Sequence, residues 1–169
     1  MTRPALCTLR GGGVLALSAL VVQLAGCALP AREAPGALRA DVIARLGPPT
    51  ATFSLPGGER LLYSELPAGF AAYNLDFDAS GKLVRNEQVL TQTRFENIPV
   101  GAWTLADVQR TFGAPLRVER VARFDGDIWT YRFRQNSDPR LAHVHLDRQG
   151  VVRLVMFTDE QPNFDNTRD

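Results

Sequence analysis

Two stretches decide how this chain is read: "LRADVIARLGPP" at residues 38–49 and "TLADVQRTFGAP" at residues 104–115. At an offset of 66, Ala40, Asp41, Val42, Gly47 and Pro49 meet Ala106, Asp107, Val108, Gly113 and Pro115 as identities, and Leu46 meets Phe112. With the offset growing to 68 and then 69, "RLLY" (60–63) meets "IWTY" (128–131), and "NLDFDASGKL" (74–83) meets "HVHLDRQGVV" (143–152). Tyr63, Asp78 and Gly81 thereby match Tyr131, Asp147 and Gly150. Three matching segments in one order point to a module written twice.

Each copy predicts a short helix followed by strands. In the second, Thr104 is a fitting N-cap with Asp107 three residues on. Leu105, Val108 and Phe112 recur at helical spacing, and Gly113 and Pro115 stop the helix. In the first, Leu38, Val42 and Leu46 make the stripe; no Ser or Thr stands at its start, so more fraying is expected there. Beyond the second helix, "RVERVARFDGDIWTYRF" (117–133) holds Asp125-Gly126, a dipeptide that accepts the positive φ of a tight hairpin turn. Folding there pairs Ala122 with Trp129, Arg120 with Tyr131 and Val118 with Phe133, placing Trp129 and Tyr131 as core under the helix. "LAHVHL", the turn "DRQG" and "VVRLVMF" supply two more strands; the first copy has "TATFSLP", "ERLLYSEL", "FAAYNLDF" and "KLVRNEQVL". A short helix can bury its stripe only against one face of such a sheet. The expected fold is therefore α+β: two tandem small units, each a short helix on an antiparallel sheet of three or four strands.

The chain ahead of the repeats has the layout of an export signal. Arg3 and Arg10 come with no acid, and the apolar run that follows is shorter than the roughly 20 residues a membrane-spanning helix needs. Leu24-Ala25-Gly26-Cys27 closes the run and resembles the lipobox of bacterial lipoproteins. That resemblance implies that Cys27 begins the mature chain and carries lipid. The expected organisation is a lipoprotein signal peptide at 1–26, lipidated Cys27 and a Pro/Ala/Gly-containing tether over 27–36, the two units at 37–97 and 98–162, and a tail at 163–169. Cys7, the only other cysteine, leaves with the signal, so the core must supply stability without disulfides. Ala28 after the lipidated cysteine points, by resemblance to enterobacterial sorting, to the outer membrane.

Removing residues 1–26 takes away two Arg and no acid, so 19 basic and 18 acidic residues become 17 and 18, a formal charge of −1. A near-neutral chain has no bulk electrostatic footprint for nucleic acid.

The order of residues in the second copy, Gly101, Thr104, Val108, Phe112-Gly113-Ala114-Pro115, Trp129, Tyr131, Leu146-Asp147 and Gly150-Val151-Val152, resembles the SmpA/OmlA (BamE-like) lipoprotein domain. The tandem arrangement is also similar to the β-lactamase inhibitory protein, whose two helix-and-sheet units bind an enzyme on a concave sheet. The first resemblance implies an outer-membrane lipoprotein facing the periplasm, with contacts to β-barrel assembly components and anionic phospholipid. The segment that precedes the first helix in BamE proper does not occur between Cys27 and Leu38, so a relative of the assembly factor is expected rather than the factor itself.

Three sets of residues are candidates for chemistry. His143 and His145 point to one face of a strand with Asp147 next in the row, a geometry able to hold a metal; the first copy carries Asn74, Asp76 and Asp78 there, which favours a polar sheet face instead. Arg117, Arg132 and Arg134 are expected close together across the hairpin, with Glu119 opposite Arg132, as a surface for a phosphate or carboxylate partner or as a charge-laced solvent face. Asp125 and Asp127 flank a turn, where carboxylates bond local backbone. Trp103, just before the second helix, is expected as an inter-unit wedge or hydrophobic staple. No free thiol, no Gly-x-Ser-x-Gly and no phosphate-cradling loop remain in the mature chain, so no enzyme activity and no cofactor beyond the Cys27 lipid are expected. The expectation is a lipid-anchored protein acting by protein–protein contact; the alternative is an inhibitor-like or ligand-binding module capturing an enzyme, peptide or metal.

Overall fold

The apolar stripes at 3.6-residue spacing form helices α1, Arg39–Leu46, and α3, Leu105–Phe112, but Leu38, expected in the first stripe, is instead the exposed residue that precedes α1. At the start of α3 the Thr104 hydroxyl accepts from the Asp107 N–H, and the Asp107 carboxylate accepts back from the Thr104 N–H at 2.9 Å, a reciprocal capping box. Leu38 gives α1 no side-chain cap. The fraying expected there meets a backbone substitute, because Arg39 N–H donates to Gly81 O at 2.9 Å, just as Leu105 N–H donates to Gly150 O at 2.7 Å. Gly47 and Gly113 end the two helices at φ 81° and 78°, backbone that a side chain would strain.

The structure is a computed structural model and describes residues 28–160. Strands β1 (Ala51–Leu55), β2 (Gly58–Ser64), β3 (Ala72–Asp78) and β4 (Leu83–Gln88) form one antiparallel sheet in sequence order; β5 (Arg117–Glu119), β6 (Gly126–Gln135), β7 (Asp138–Asp147) and β8 (Val152–Asp159) form a second. The α+β expectation of two small units with four-stranded sheets is met. Cys27 and the expected signal and tail lie outside the described residues.

The two halves share a bonding pattern as well as an order. Tyr63 Oη donates to Gly47 O at 3.1 Å, and Tyr131 Oη to Gly113 O at 2.9 Å, each tying a central strand to the end of its helix. Leu38 bridges Lys82, and Thr104 bridges Val151. Asp78 Oδ1 accepts from the N–H groups of Ser80 and Lys82, and Asp147 Oδ1 from those of Gln149 and Val151. A bulge follows at Asp76/Phe77 in one sheet and at His145/Leu146 in the other.

Glycine 126 corrects one expectation. It is not at a tight turn and has no positive φ; it is the first residue of β6, and a Cβ there would lie 2.0 Å from Leu146 O. Gly58 opens β2 in the same way, with an added Cβ 1.9 Å from Phe77 O. Close approach of neighbouring backbones demands glycine at both places. The β5–β6 register is accordingly shifted by four residues from the expected one. Val118 faces Trp129 and Glu119 faces Ile128, with residues 120–125 as a loop. An even shift leaves each residue on its expected face.

Helix α1 covers one face of the first sheet, where Val42 packs with Leu61, Tyr63, Leu75, Phe77 and Leu83. The second core lies between α3 and the inner face of the second sheet and holds Val108, Phe112, Trp129, Tyr131, Phe133, Val144 and Leu146. Trp103 packs against this core, its ring 6.2 Å from that of Phe112. Ala72, Val89, Leu90 and Phe95 from the first half join it. Phe95 sits on α2, Gln92–Glu96, a connector helix that sequence periodicity does not reveal.

The expected tether is a second correction. Residues 30–36 are docked on the first unit: Pro30–Arg32 form a 3-10 turn, Asn86 Nδ2 donates to Pro30 O at 2.8 Å and Glu33 O at 3.0 Å, and Gly36 N–H donates to Leu83 O at 2.7 Å. The Glu33 carboxylate, nearly buried, pairs with Arg45 of α1. Composition suggested a free linker, but one amide side chain and one ion pair hold it.

Candidate functional site

Equivalent faces of the two sheets have different fates. The face of the first sheet away from α1 carries Arg60, Leu62, Asn74 and Asp76, all buried. Asn74 Nδ2 donates to Thr111 O at 2.9 Å and Arg60 Nη1 to Arg110 O at 3.4 Å, so both satisfy carbonyls at the C-terminal end of α3. Arg60 is held in a two-pronged pair with Asp76, at 2.6 and 2.8 Å, and its charge complements the helix terminus. Leu62 fills the space beside Gly113, where a Cβ would approach to 2.5 Å. The layers therefore run α1, first sheet, α3 with α2, second sheet.

In the second sheet the matching places are Ile128, Thr130, His143 and His145, and no helix among the described residues covers them. His143 lies opposite Met156 and His145 opposite Leu154 on β8. Met156 is 47% exposed and Leu154 45%, two apolar side chains on the solvent side of a strand whose Val155 and Phe157 turn inward to the core. Phe124, from the loop at 120–125, stands edge-on to His145 with ring centroids 5.0 Å apart. On this face Leu154 and Met156 are exposed beside two half-buried imidazoles, while Ile128 and Thr130 are themselves buried. The sequence signal for it was the uninterrupted apolar run "LVMF" at 154–157, in which every second residue must face outward.

His143 is committed to hydroxyl neighbours, whereas His145 Nδ1 is buried without a hydrogen-bond partner among the described residues. His143 Nδ1 lies 3.0 Å from Thr130 Oγ1 and its Nε2 lies 2.8 Å from Thr158 Oγ1, so both ring nitrogens are engaged. Burial lowers the pKa of both imidazoles; Arg117 and His145 add to the effect on His143, against a smaller opposing pull from Glu119. Asp147, the third member of the row, is held by its own turn and by Arg153 at 2.6 Å, which depress its pKa. Among the described residues no three His, Cys, Asp or Glu side chains group as a metal site.

The arginine row is not formed. Arg117 lies opposite Thr130 and pairs with Glu119 at 2.7 Å along its own strand, so Glu119 does not face Arg132. Arg132 pairs with Glu160 and donates to Pro67 O at 3.2 Å, while Arg134 donates to Ser137 O at 2.8 Å. Both guanidinium groups stack on the ring of Phe70, at 4.6 and 4.2 Å. Because β5 begins only opposite Thr130, the later part of β6 is an open edge there. The β2–β3 loop fills it, and these arginines clamp the first unit to the second. Asp125 and Asp127 pair with Arg148 and Arg120, both at 2.5 Å, beside a cleft of about 1000 Å³.

Neither a protein-family model nor a curated protein matches the chain. Among solved structures, a DUF4309 family protein (YjgB) from Bacillus subtilis is similar at 18% identity, over 73% of this chain and 78% of its own, with a TM-score of 0.31. At that score the likeness decides nothing about fold or role.

Proposed function

We propose that this chain is a non-catalytic lipoprotein, lipidated at Cys27 and held at the outer membrane facing the periplasm. It works there by protein–protein contact in envelope maintenance or β-barrel assembly, in the manner of a BamE-like accessory. The lipobox at residues 24–27 supports the anchor. The observation that carries the contact role is the open face of the second sheet. Its equivalent in the first sheet is closed by a helix end, whereas here Leu154 and Met156 stay exposed around half-buried imidazoles. Apolar side chains on a preformed sheet suit a partner surface, since little ordering is needed on binding. The arginine clamp makes Arg132 and Arg134 internal struts in this reading, leaving Arg117 at the margin of the face.

Two measurements test it. Metabolic labelling with a clickable palmitate should tag the wild-type protein and not Cys27→Ala; an unlabelled, soluble wild type removes the anchor. Crosslinking from envelope with a photoreactive residue at Met156 should then capture barrel-assembly components. Capture of a single soluble periplasmic enzyme instead would support the inhibitor-like alternative and overturn the assembly role.

A further inference from the structure

The docked N-terminal segment fixes more than stability. We propose that, once anchored, the protein is held in one orientation. Its α1 layer lies on the lipid headgroups, and the open face of the second sheet points away from the membrane. The proposal rests on lipidation of Cys27.

Chain length limits how far the domain can move from its anchor. Pro30 O is bonded to Asn86, so from Cys27 to the first fixed point the chain spans three residues, at most roughly 10 Å when extended. A free linker to Ala37 would span up to roughly 35 Å and let the domain tumble. Glu33 and Gly36 add further fixed points on α1 and β4.

The surface beside the anchor suits headgroups. Leu29 is 44% exposed, Arg32 is exposed on the same turn, and farther along the segment exposed Leu38 stands beside Lys82. Apolar side chains at the acyl boundary with guanidinium and ammonium groups at phosphate level are what an interfacial surface needs. The segment lies on the α1 side of the first sheet, since Asn86 shares its face with Leu75. The face bearing His143 and Met156 is the outermost surface of the opposite layer. Three layer spacings of about 10 Å each put it roughly 30 Å from the anchor side.

The test uses lipidated protein purified from membranes and reconstituted in liposomes. The mature wild-type chain has Cys27 as its one cysteine, and lipid blocks that thiol, so a cysteine introduced at Ala34→Cys or Met156→Cys takes a fluorophore alone. A headgroup-attached nickel quencher should quench the label at position 34 several-fold more than that at 156, and a soluble aqueous quencher should show the reverse order. In an Asn86→Ala/Glu33→Ala background the contrast should shrink, because the segment is released. Vesicle-bound protein with equal quenching at both positions overturns the orientation while leaving the anchor intact. A contrast unchanged by the releasing substitutions also overturns it. Protein that fails to float with the vesicles overturns the anchor reading itself.

Discussion

Replacing Phe95 by alanine tests whether the connector belongs to the core or merely crosses it. The ring is fully buried and stacks on Phe112 with centroids 4.4 Å apart at 17°. It also meets Tyr131 at 5.6 Å, Phe133 at 5.7 Å and Phe157 edge-on at 6.5 Å. Loss of a buried phenyl group costs about 3–5 kcal/mol through transfer and cavity. Four ring neighbours, each worth about 0.5–1.5 kcal/mol beyond area, place this site at the upper end. Against a total stability of about 5–15 kcal/mol, the midpoint of thermal unfolding should fall by roughly 10–20 °C. The assay is urea unfolding of a signal-less Cys27→Ala chain, followed by far-ultraviolet circular dichroism and by tryptophan fluorescence. Trp103 and Trp129 both lie in the second half, whereas the dichroism reports both sheets. The two probes should shift together, because Ala72, Val89 and Leu90 of the first half share the cluster. A loss under about 1 kcal/mol, within the range of ordinary substitutions, or a shift seen by fluorescence alone, refutes the shared core.

The repeated tyrosines give a graded comparison. Tyr131→Phe strands a carbonyl at a fully buried site and should cost about 1–3 kcal/mol, whereas Tyr63→Phe, at a site nearer solvent, should cost less; equal losses in urea titrations would contradict the burial difference. Acid titration should expose the histidines. Their folded pKa values lie below the unfolded value near 6.5, so stability is fully present above that pH and is lost as pH falls toward the folded values. A His143→Asn/His145→Asn variant should lose this slope, and an unchanged profile of stability against pH would show that the imidazoles are not its source.

Much of the fold was legible because it is written twice. The capping box of Thr104 and Asp107, the glycine stops at 47 and 113 and the turns at Asp78 and Asp147 each rest on local chemistry that a few residues determine. Contacts distant in sequence were not legible. Nothing near Asn74 indicates that its amide caps a helix 37 residues away, and Phe70 gives no sign of lying beneath two arginines of another strand. The Asp125-Gly126 pair misled because glycine serves both positive φ and close backbone approach, and only pairing tells which. Alignment with Gly58 at offset 68 was the available signal.

Enclosure of the first sheet between two helices makes the copies unequal in their freedom to change. Successive residues of β2 and β3, from Arg60 to Tyr63 and from Asn74 to Phe77, are all buried, so either parity of substitution there disturbs packing. On β8, alternate positions face solvent. In the C-terminal copy β6 is packed as tightly, burying Ile128 to Tyr131, so the freedom to change is confined to the outward positions of β8 such as Leu154 and Met156.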